Sequence, residues 1–107
     1  MSGMGGSGGR TVLICEDDPD QRRLLAMVVR SRGHRAIECG TIREARAAPP
    51  CDVSFIDRRL PDGDGLGLAR ELKGRVYLLT GDDLEVPDPG VRVLVKPVRP
   101  IDLDELL

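Results

Sequence analysis

Five short apolar runs recur along the chain, and the segments between them are patterned for helices. The runs are TVLIC (Thr11–Cys15), RAIEC (Arg35–Cys39), DVSFID (Asp52–Asp57), RVYLLT (Arg75–Thr80) and VRVLV (Val91–Val95). Most are apolar throughout rather than alternating, which marks strands buried on both faces. Such strands, separated by helices, run parallel, with helices covering both sides of one sheet. After the first run, Asp18 is placed to cap a helix that Pro19 opens. Leu24, Leu25, Val28 and Val29 form its stripe, Arg22, Arg23 and Arg30 fall largely outside it, and Gly33 stops it. Thr41 and Glu44 stand at capping-box spacing for a second helix. Ala45, Ala47 and Ala48 continue that helix, and Pro49–Pro50 ends it. LGLARELK (Leu66–Lys73) is a third helix, weakened by Gly67 and closed by Gly74, and RPIDLDELL begins a last one. The crossover GDDLEVPDPG is the exception. Pro87 and Pro89 allow at most one helical turn there, around Asp82 to Glu85.

The 107 residues suit one small domain. The first nine, MSGMGGSGG, have no apolar face and read as a flexible leader, leaving residues 10–107 as the domain. Sixteen basic and 18 acidic residues give a net charge of −2, with the signs interspersed. That balance gives no electrostatic reason for nucleic acid as a direct partner. No stretch approaches the roughly 18 apolar residues of a membrane span, so a cytoplasmic protein without membrane contact is expected. Cys15, Cys39 and Cys51 are odd in number and lack CxxC spacing, so they read as buried, reduced thiols. Phe55 and Tyr77 are the only aromatic residues, which leaves the core to aliphatic side chains. His34 follows Gly33 and reads as a turn residue. LPDGDG lacks the ligand spacing and final Glu of a calcium loop and reads as a turn.

In a parallel α/β sheet the residues just beyond the strands emerge at one edge, where ligands bind. Here that edge collects Glu16 and Asp17 after the first strand, Asp57 from the third, Thr80 from the fourth and Lys96 after the fifth. Three carboxylates alone would repel and raise one another's pKa values. A divalent cation resolves the conflict, and Mg²⁺ suits a site of few carboxylates completed by water and phosphate oxygens. Lys96 and Thr80 then serve as donors to an anion, most simply a phosphoryl group.

These residues carry a resemblance. VLICEDDPDQRRLL, FIDRRLPDGDGL, LLTG and VLVKPV resemble, in order and spacing, the motifs of the receiver domain of two-component response regulators, chemotaxis-regulator-like. The match spans nearly the whole chain after the leader. It implies a flavodoxin-like, doubly wound, five-stranded parallel sheet of order 2-1-3-4-5, here with a shortened or missing fourth helix. It implies that Asp57 accepts a phosphoryl group from a phosphohistidine on a sensor histidine kinase or histidine phosphotransfer protein. By the same resemblance Asp17 binds Mg²⁺ directly, Glu16 mainly through water, and the backbone carbonyl of Arg59 is a further ligand. Lys96 would pair with the phosphoryl group, its bond to Pro97 would be cis, and Thr80 would turn inward as the switch. Such a domain catalyses only its own phosphorylation and dephosphorylation and is not a metabolic enzyme. Its output would pass to an output protein or a fused effector domain, neither of which the sequence identifies. Asp18 falls outside the metal pair and is left to cap the first helix.

The chain departs from the family in three places. The segment between Thr80 and Lys96 is shorter than usual, which puts the usual dimer face in doubt. Val93 stands where the family commonly has an aromatic switch residue, and valine has little rotamer freedom. Arg58 and Arg59 directly follow Asp57, and Arg59 is expected to reach toward Asp82 and limit attacking water. Two other classes compete with the phosphoacceptor reading. A pseudo-receiver would act as an interaction scaffold without phosphorylation. A small phosphohydrolase would need a second acid two residues after the nucleophile, where this chain has Arg59.

Overall fold

The computed structural model describes residues 9–81 and 90–107. The expected turn at Asp82–Glu85, the effect of Pro87 and Pro89, the Arg59–Asp82 approach and the leader through residue 8 lie outside the described residues. Five strands form one parallel sheet: β1 (Thr11–Cys15), β2 (Arg35–Cys39), β3 (Val53–Asp57), β4 (Arg75–Thr80) and β5 (Val91–Val95). Their spatial order is β2-β1-β3-β4-β5, the flavodoxin-like order expected from the sequence. The registers Cys15↔Cys39, Cys15↔Ile56, Asp57↔Leu79 and Thr80↔Val95 align the C-terminal ends along one edge.

Alternate residues of each strand face opposite sides. Leu13, Cys15, Ile56, Val76 and Leu78 face α2 (Ile42–Arg46) and α3 (Gly65–Glu71). Val12, Ile14, Val53, Phe55, Tyr77 and Leu79 face α1 (Pro19–Ser31) and the C-terminal helix α4 (Pro100–Leu106). The two aromatic rings stack at the centre of the second layer, with centroids 5.2 Å apart and planes inclined by 14°. Aliphatic side chains fill the remainder of the core. No helix among the described residues is long and apolar enough to cross a membrane.

Local chemistry sets the helix ends. Asp18 caps α1, its Oδ1 accepting from the amides of Asp20 at 2.9 Å and Gln21 at 3.4 Å. Gly33, at φ +83°, ends α1 in the left-handed region, and its amide returns to the Arg30 carbonyl at 3.0 Å. His34 Nδ1 accepts from the Arg10 amide at 3.1 Å, so the histidine fastens a turn. The stripe of α1 is displaced from its expected position. Leu25, Ala26 and Val29 are buried, whereas Leu24 is 43% exposed. A residue of 100° per step places Leu24 at the flank once Leu25 and Val29 point inward. Helix α2 stops at Arg46 rather than continuing through Ala48, because the residue before a proline disfavours helical backbone and Pro49–Pro50 follows closely. Its N-terminus has a cap that sequence spacing did not suggest. Asp62, twenty residues later, accepts from the amides of Ile42 at 2.8 Å and Arg43 at 3.0 Å. The LPDGDG turn therefore anchors a helix. It is braced by a two-residue antiparallel pairing of Arg59–Leu60 with Gly63–Asp64.

Candidate functional site

The acids at the strand edge are held by the sheet itself. The Glu16 amide donates to the Cys39 carbonyl at 2.9 Å, tying the turn after β1 to β2. The Arg58 amide donates to the Leu79 carbonyl at 2.8 Å and the Gly65 amide to the Arg58 carbonyl at 2.7 Å. Those bonds clamp the end of β3 between β4 and the start of α3. The Lys96 amide donates to the Thr80 carbonyl at 2.7 Å, and the Lys96–Pro97 peptide is cis.

One ligand oxygen from each of Glu16, Asp17 and Asp57 lies within 4.8 Å of the others. Glu16 is 2% exposed and Asp57 5%, while Asp17 is open to solvent. The Lys96 ammonium bridges the buried pair, donating to Glu16 Oε1 at 2.8 Å and to Asp57 Oδ2 at 3.0 Å. The Arg59 amide donates to Asp57 Oδ1 at 3.2 Å, so the Arg59 main chain lies beside the Asp57 carboxylate. Thr80 is buried at the same edge. Asp17, Asp57, Arg58, Arg59, Thr80, Gly81 and Lys96 line a cleft of about 360 Å³. The five side chains expected at the site thus converge on one place, and Asp18 stays outside as a helix cap. A groove of about 430 Å³ between α2 and α3 is larger, but it is lined mainly by apolar side chains and the Arg46–Glu71 pair. Size does not make that groove the site, since it lacks converging polar groups.

Burial dominates the electrostatics. It pushes the Glu16 carboxyl from its ordinary 4.5 up to about 7; the neighbouring Asp57 adds to the rise and Lys96 opposes it. Burial pulls the Lys96 ammonium down, but its bonds to Glu16 and Asp57 outweigh that and leave its pKa raised. One ammonium is thus shared by two buried acids. Its donors are all hard carboxylate oxygens, which fit Mg²⁺ and give no reason to expect a soft metal. The cysteines take no part. Cys15 and Cys39 are buried free thiols pushed up by burial to about 12 and about 11, while Cys51 is only half-buried.

Two residues near the site were not apparent as contributors from the sequence. Arg22 stands at i, i+3, i+4 and i+7 with Leu25, Ala26 and Val29, so it falls on the buried stripe of α1 rather than outside it. A cation on an inward stripe requires a polar partner, and that was the available signal. Gly65 is the other: a β-carbon there would overlap the Asp57 carbonyl oxygen, so only glycine lets α3 begin against the end of β3.

No family model matches the chain. It is similar to the transcriptional regulatory protein AruR of Pseudomonas aeruginosa, 33% identical over 87 residues, covering 70% of this chain and 36% of AruR. The chain therefore spans little more than a third of that relative's length. Among solved structures it is similar to a CheY-like response regulator receiver domain from Methylobacillus flagellatus, at TM-score 0.79 and 21% identity, covering 91% of this chain and 94% of that one. It is also similar to the receiver domain of the sensor histidine kinase PA1611 of Pseudomonas aeruginosa, at TM-score 0.76 and 23% identity, covering 92% and 93%. That structure holds a magnesium ion in its active-site cleft. A parallel 2-1-3-4-5 sheet with an acid cluster and a lysine at its C-terminal edge defines a flavodoxin-like receiver fold. More particularly, the chain is a receiver domain of the two-component response regulator family.

Proposed function

We propose that the chain is a Mg²⁺-dependent phosphoacceptor switch in a two-component phosphorelay. One observation carries this reading: Lys96 bridges buried Asp57 and Glu16 at the cleft that also contains Asp17 and Thr80. A carboxylate oxygen of Asp57 attacks the phosphorus of a phosphohistidine. The P–O bond forms as the P–N bond breaks, and the imidazole nitrogen leaves with the electron pair. The product is an acyl phosphate. Phosphoryl transfer asks for positioning and charge neutralisation rather than covalent assistance. The main-chain amide of Arg59 holds the Asp57 carboxylate in one orientation, and Lys96 is placed to follow the added charge. Asp17, Asp57 and the Arg59 carbonyl would hold Mg²⁺, with Glu16 acting mainly through water. The metal supplies neutralisation of the phosphoryl oxygens. Thr80 donates to the new oxygen, and its inward turn alters the neighbouring surface. Val93 lacks the ring that usually follows such a turn, so the change at Thr80 and its loop carries the signal.

The phosphoryl donor is a sensor histidine kinase or a histidine phosphotransfer protein in the cytoplasm. The output is a partner protein or an effector domain fused beyond residues 10–107, with residues 1–9 as leader. The test is intact-mass analysis after incubation with acetyl phosphate and Mg²⁺. One hydroxylamine-labile phosphoryl group per chain is expected, and none in excess EDTA. An unmodified chain that also binds no Mg²⁺ would establish the pseudo-receiver scaffold instead, and continuous phosphate release would establish a hydrolase.

A pH dependence follows from Glu16. Its folded pKa is raised, so its stabilising effect on the metal-free protein is full below about 4.5 and is lost as pH rises through about 7. A metal ion competes with that proton. Mg²⁺ affinity measured by calorimetry should therefore climb between about pH 6 and pH 8, with proton release on binding. A flat affinity across that interval would mean that the Glu16 carboxyl does not titrate there and is not raised from its ordinary range.

A further inference from the structure

Arg22 reaches from α1 to the peptide that joins the two acids after β1. Its Nη1 donates to the Glu16 carbonyl at 2.9 Å. The amide of the same Glu16 donates to Cys39, and the Asp18 amide donates to Glu16 Oε2 at 3.3 Å. The residue is thus held at its amide, its carbonyl and its carboxylate. Arg22 is itself braced. Its Nε lies 3.8 Å from Glu38 Oε1, and Glu38 is fixed by Arg30 Nη1 at 3.1 Å. Arg30 is anchored in turn on the Ala36 carbonyl at 3.2 Å. The guanidinium occupies the space a side chain at position 40 would need, since a β-carbon on Gly40 would stand 3.0 Å from Arg22 Nη1.

The carbonyl that Arg22 holds belongs to the Glu16–Asp17 peptide. Rotation of that peptide would redirect Asp17, whose side chain lines the cleft, relative to Glu16, whose side chain is buried against Lys96. The exposed edge of the ion pair with Glu38 adds little stability by itself. Its effect is to fix the guanidinium where the carbonyl needs a donor. We propose that Arg22 is a positioning residue for the Mg²⁺ site, orienting the two carboxylates through the peptide between them. This rests on the Mg²⁺ reading above.

Arg22→Met keeps much of the apolar stem and removes the donors, whereas Arg22→Lys keeps a donor able to meet the carbonyl. Titration of Mg²⁺ alone into the metal-free proteins should show affinity weakened roughly 10-fold in Arg22→Met, the usual scale for groups that orient metal ligands. Arg22→Lys should recover part of it. The Mg²⁺ concentration for half-maximal phosphorylation by acetyl phosphate should rise by the same factor, with the rate at saturating Mg²⁺ within about twofold of wild type. Unchanged Mg²⁺ affinity in Arg22→Met overturns the proposal. So does a saturated rate that falls as far as the affinity, equally in Met and Lys, because that pattern marks general loosening. If Arg22→Met does not fold, Gly40→Ala displaces the guanidinium without removing it, and the same weakening in a smaller degree is expected. Wild-type affinity in Gly40→Ala then overturns the proposal. A wild-type protein that binds no Mg²⁺ defeats the proposed function itself, and this inference with it.

Discussion

Asp57→Asn should take up no phosphoryl group from acetyl phosphate with Mg²⁺, yet in metal-free buffer it should be at least as stable as the wild type. The first half follows from chemistry, since an amide oxygen is not an ionised nucleophile and forms no acyl phosphate. The second half follows from the charge balance. Asparagine keeps the shape of the side chain and an oxygen for the Arg59 amide, now at 3.2 Å from Asp57 Oδ1. It removes one of two buried carboxylates that share Lys96, and Lys96 retains Glu16 at 2.8 Å. Part of the rise in the Glu16 pKa is due to Asp57, so in the variant that pKa moves back toward 4.5 and the loss of metal-free stability with rising pH becomes shallower. A gain of about 1 kcal/mol would raise Tm by roughly 4–8 °C in a domain of this size. Intact-mass spectra and thermal melts with EDTA at pH 6 and pH 8 measure both halves. Full modification of the variant would place the acceptor elsewhere. A collapse in metal-free stability would mean that Asp57 is retained for the fold rather than held against an electrostatic cost.

That cost explains why so much of the site was legible in the sequence. Runs such as VSFID and VYLLT are buried on both faces, so they read as parallel strands without reference to neighbours. Once they are parallel, their C-terminal residues must share an edge, and carboxylates gathered there repel unless something offsets their charge. Glu16, Asp17, Asp57, Thr80 and Lys96 emerge from that reasoning before any coordinate is known. Contacts set by tertiary packing were less legible. Asp62 caps α2 from twenty residues downstream, and its spacing resembled only a turn. Sequence alone misplaces the phase of α1 because Leu24 is as apolar as Leu25, while the decisive position, Arg22, is charged and reads as facing solvent. Its partner is a main-chain carbonyl, which leaves no mark in the sequence. The bridging of two acids by Lys96 is of the same kind: residue types indicate an anion site, but only packing brings the ammonium to both carboxylates.

Gly65→Ala should be the most damaging single-methyl change outside the charged cluster, and Gly67→Ala, two residues along the same helix, should be stabilising. At position 65 a β-carbon would overlap the Asp57 carbonyl oxygen and stand 2.9 Å from the Asp57 carbonyl carbon and 3.0 Å from Ile56 Cγ2. Two of those three atoms are backbone and have no rotamer by which to withdraw. The start of α3 is also tied down, because the Gly65 amide donates to the Arg58 carbonyl at 2.7 Å. Relief therefore requires either lifting α3 from the sheet, which opens the layer around Leu68 and Ala69, or pulling the end of β3 out of register with β4. Overpacking of this kind costs about 3 kcal/mol, and a backbone clash places it at or above that figure. Either movement shifts Asp57 relative to Lys96 and Asp17, so phosphorylation should slow even in the fraction that folds. At Gly67 nothing lies within 4 Å of the β-carbon, and alanine in a helix interior is favoured over glycine by about 0.5–1 kcal/mol. Urea unfolding of the two variants separates close approach from helix propensity. Similar midpoints in both would show that Gly65 is retained for reasons other than contact with β3.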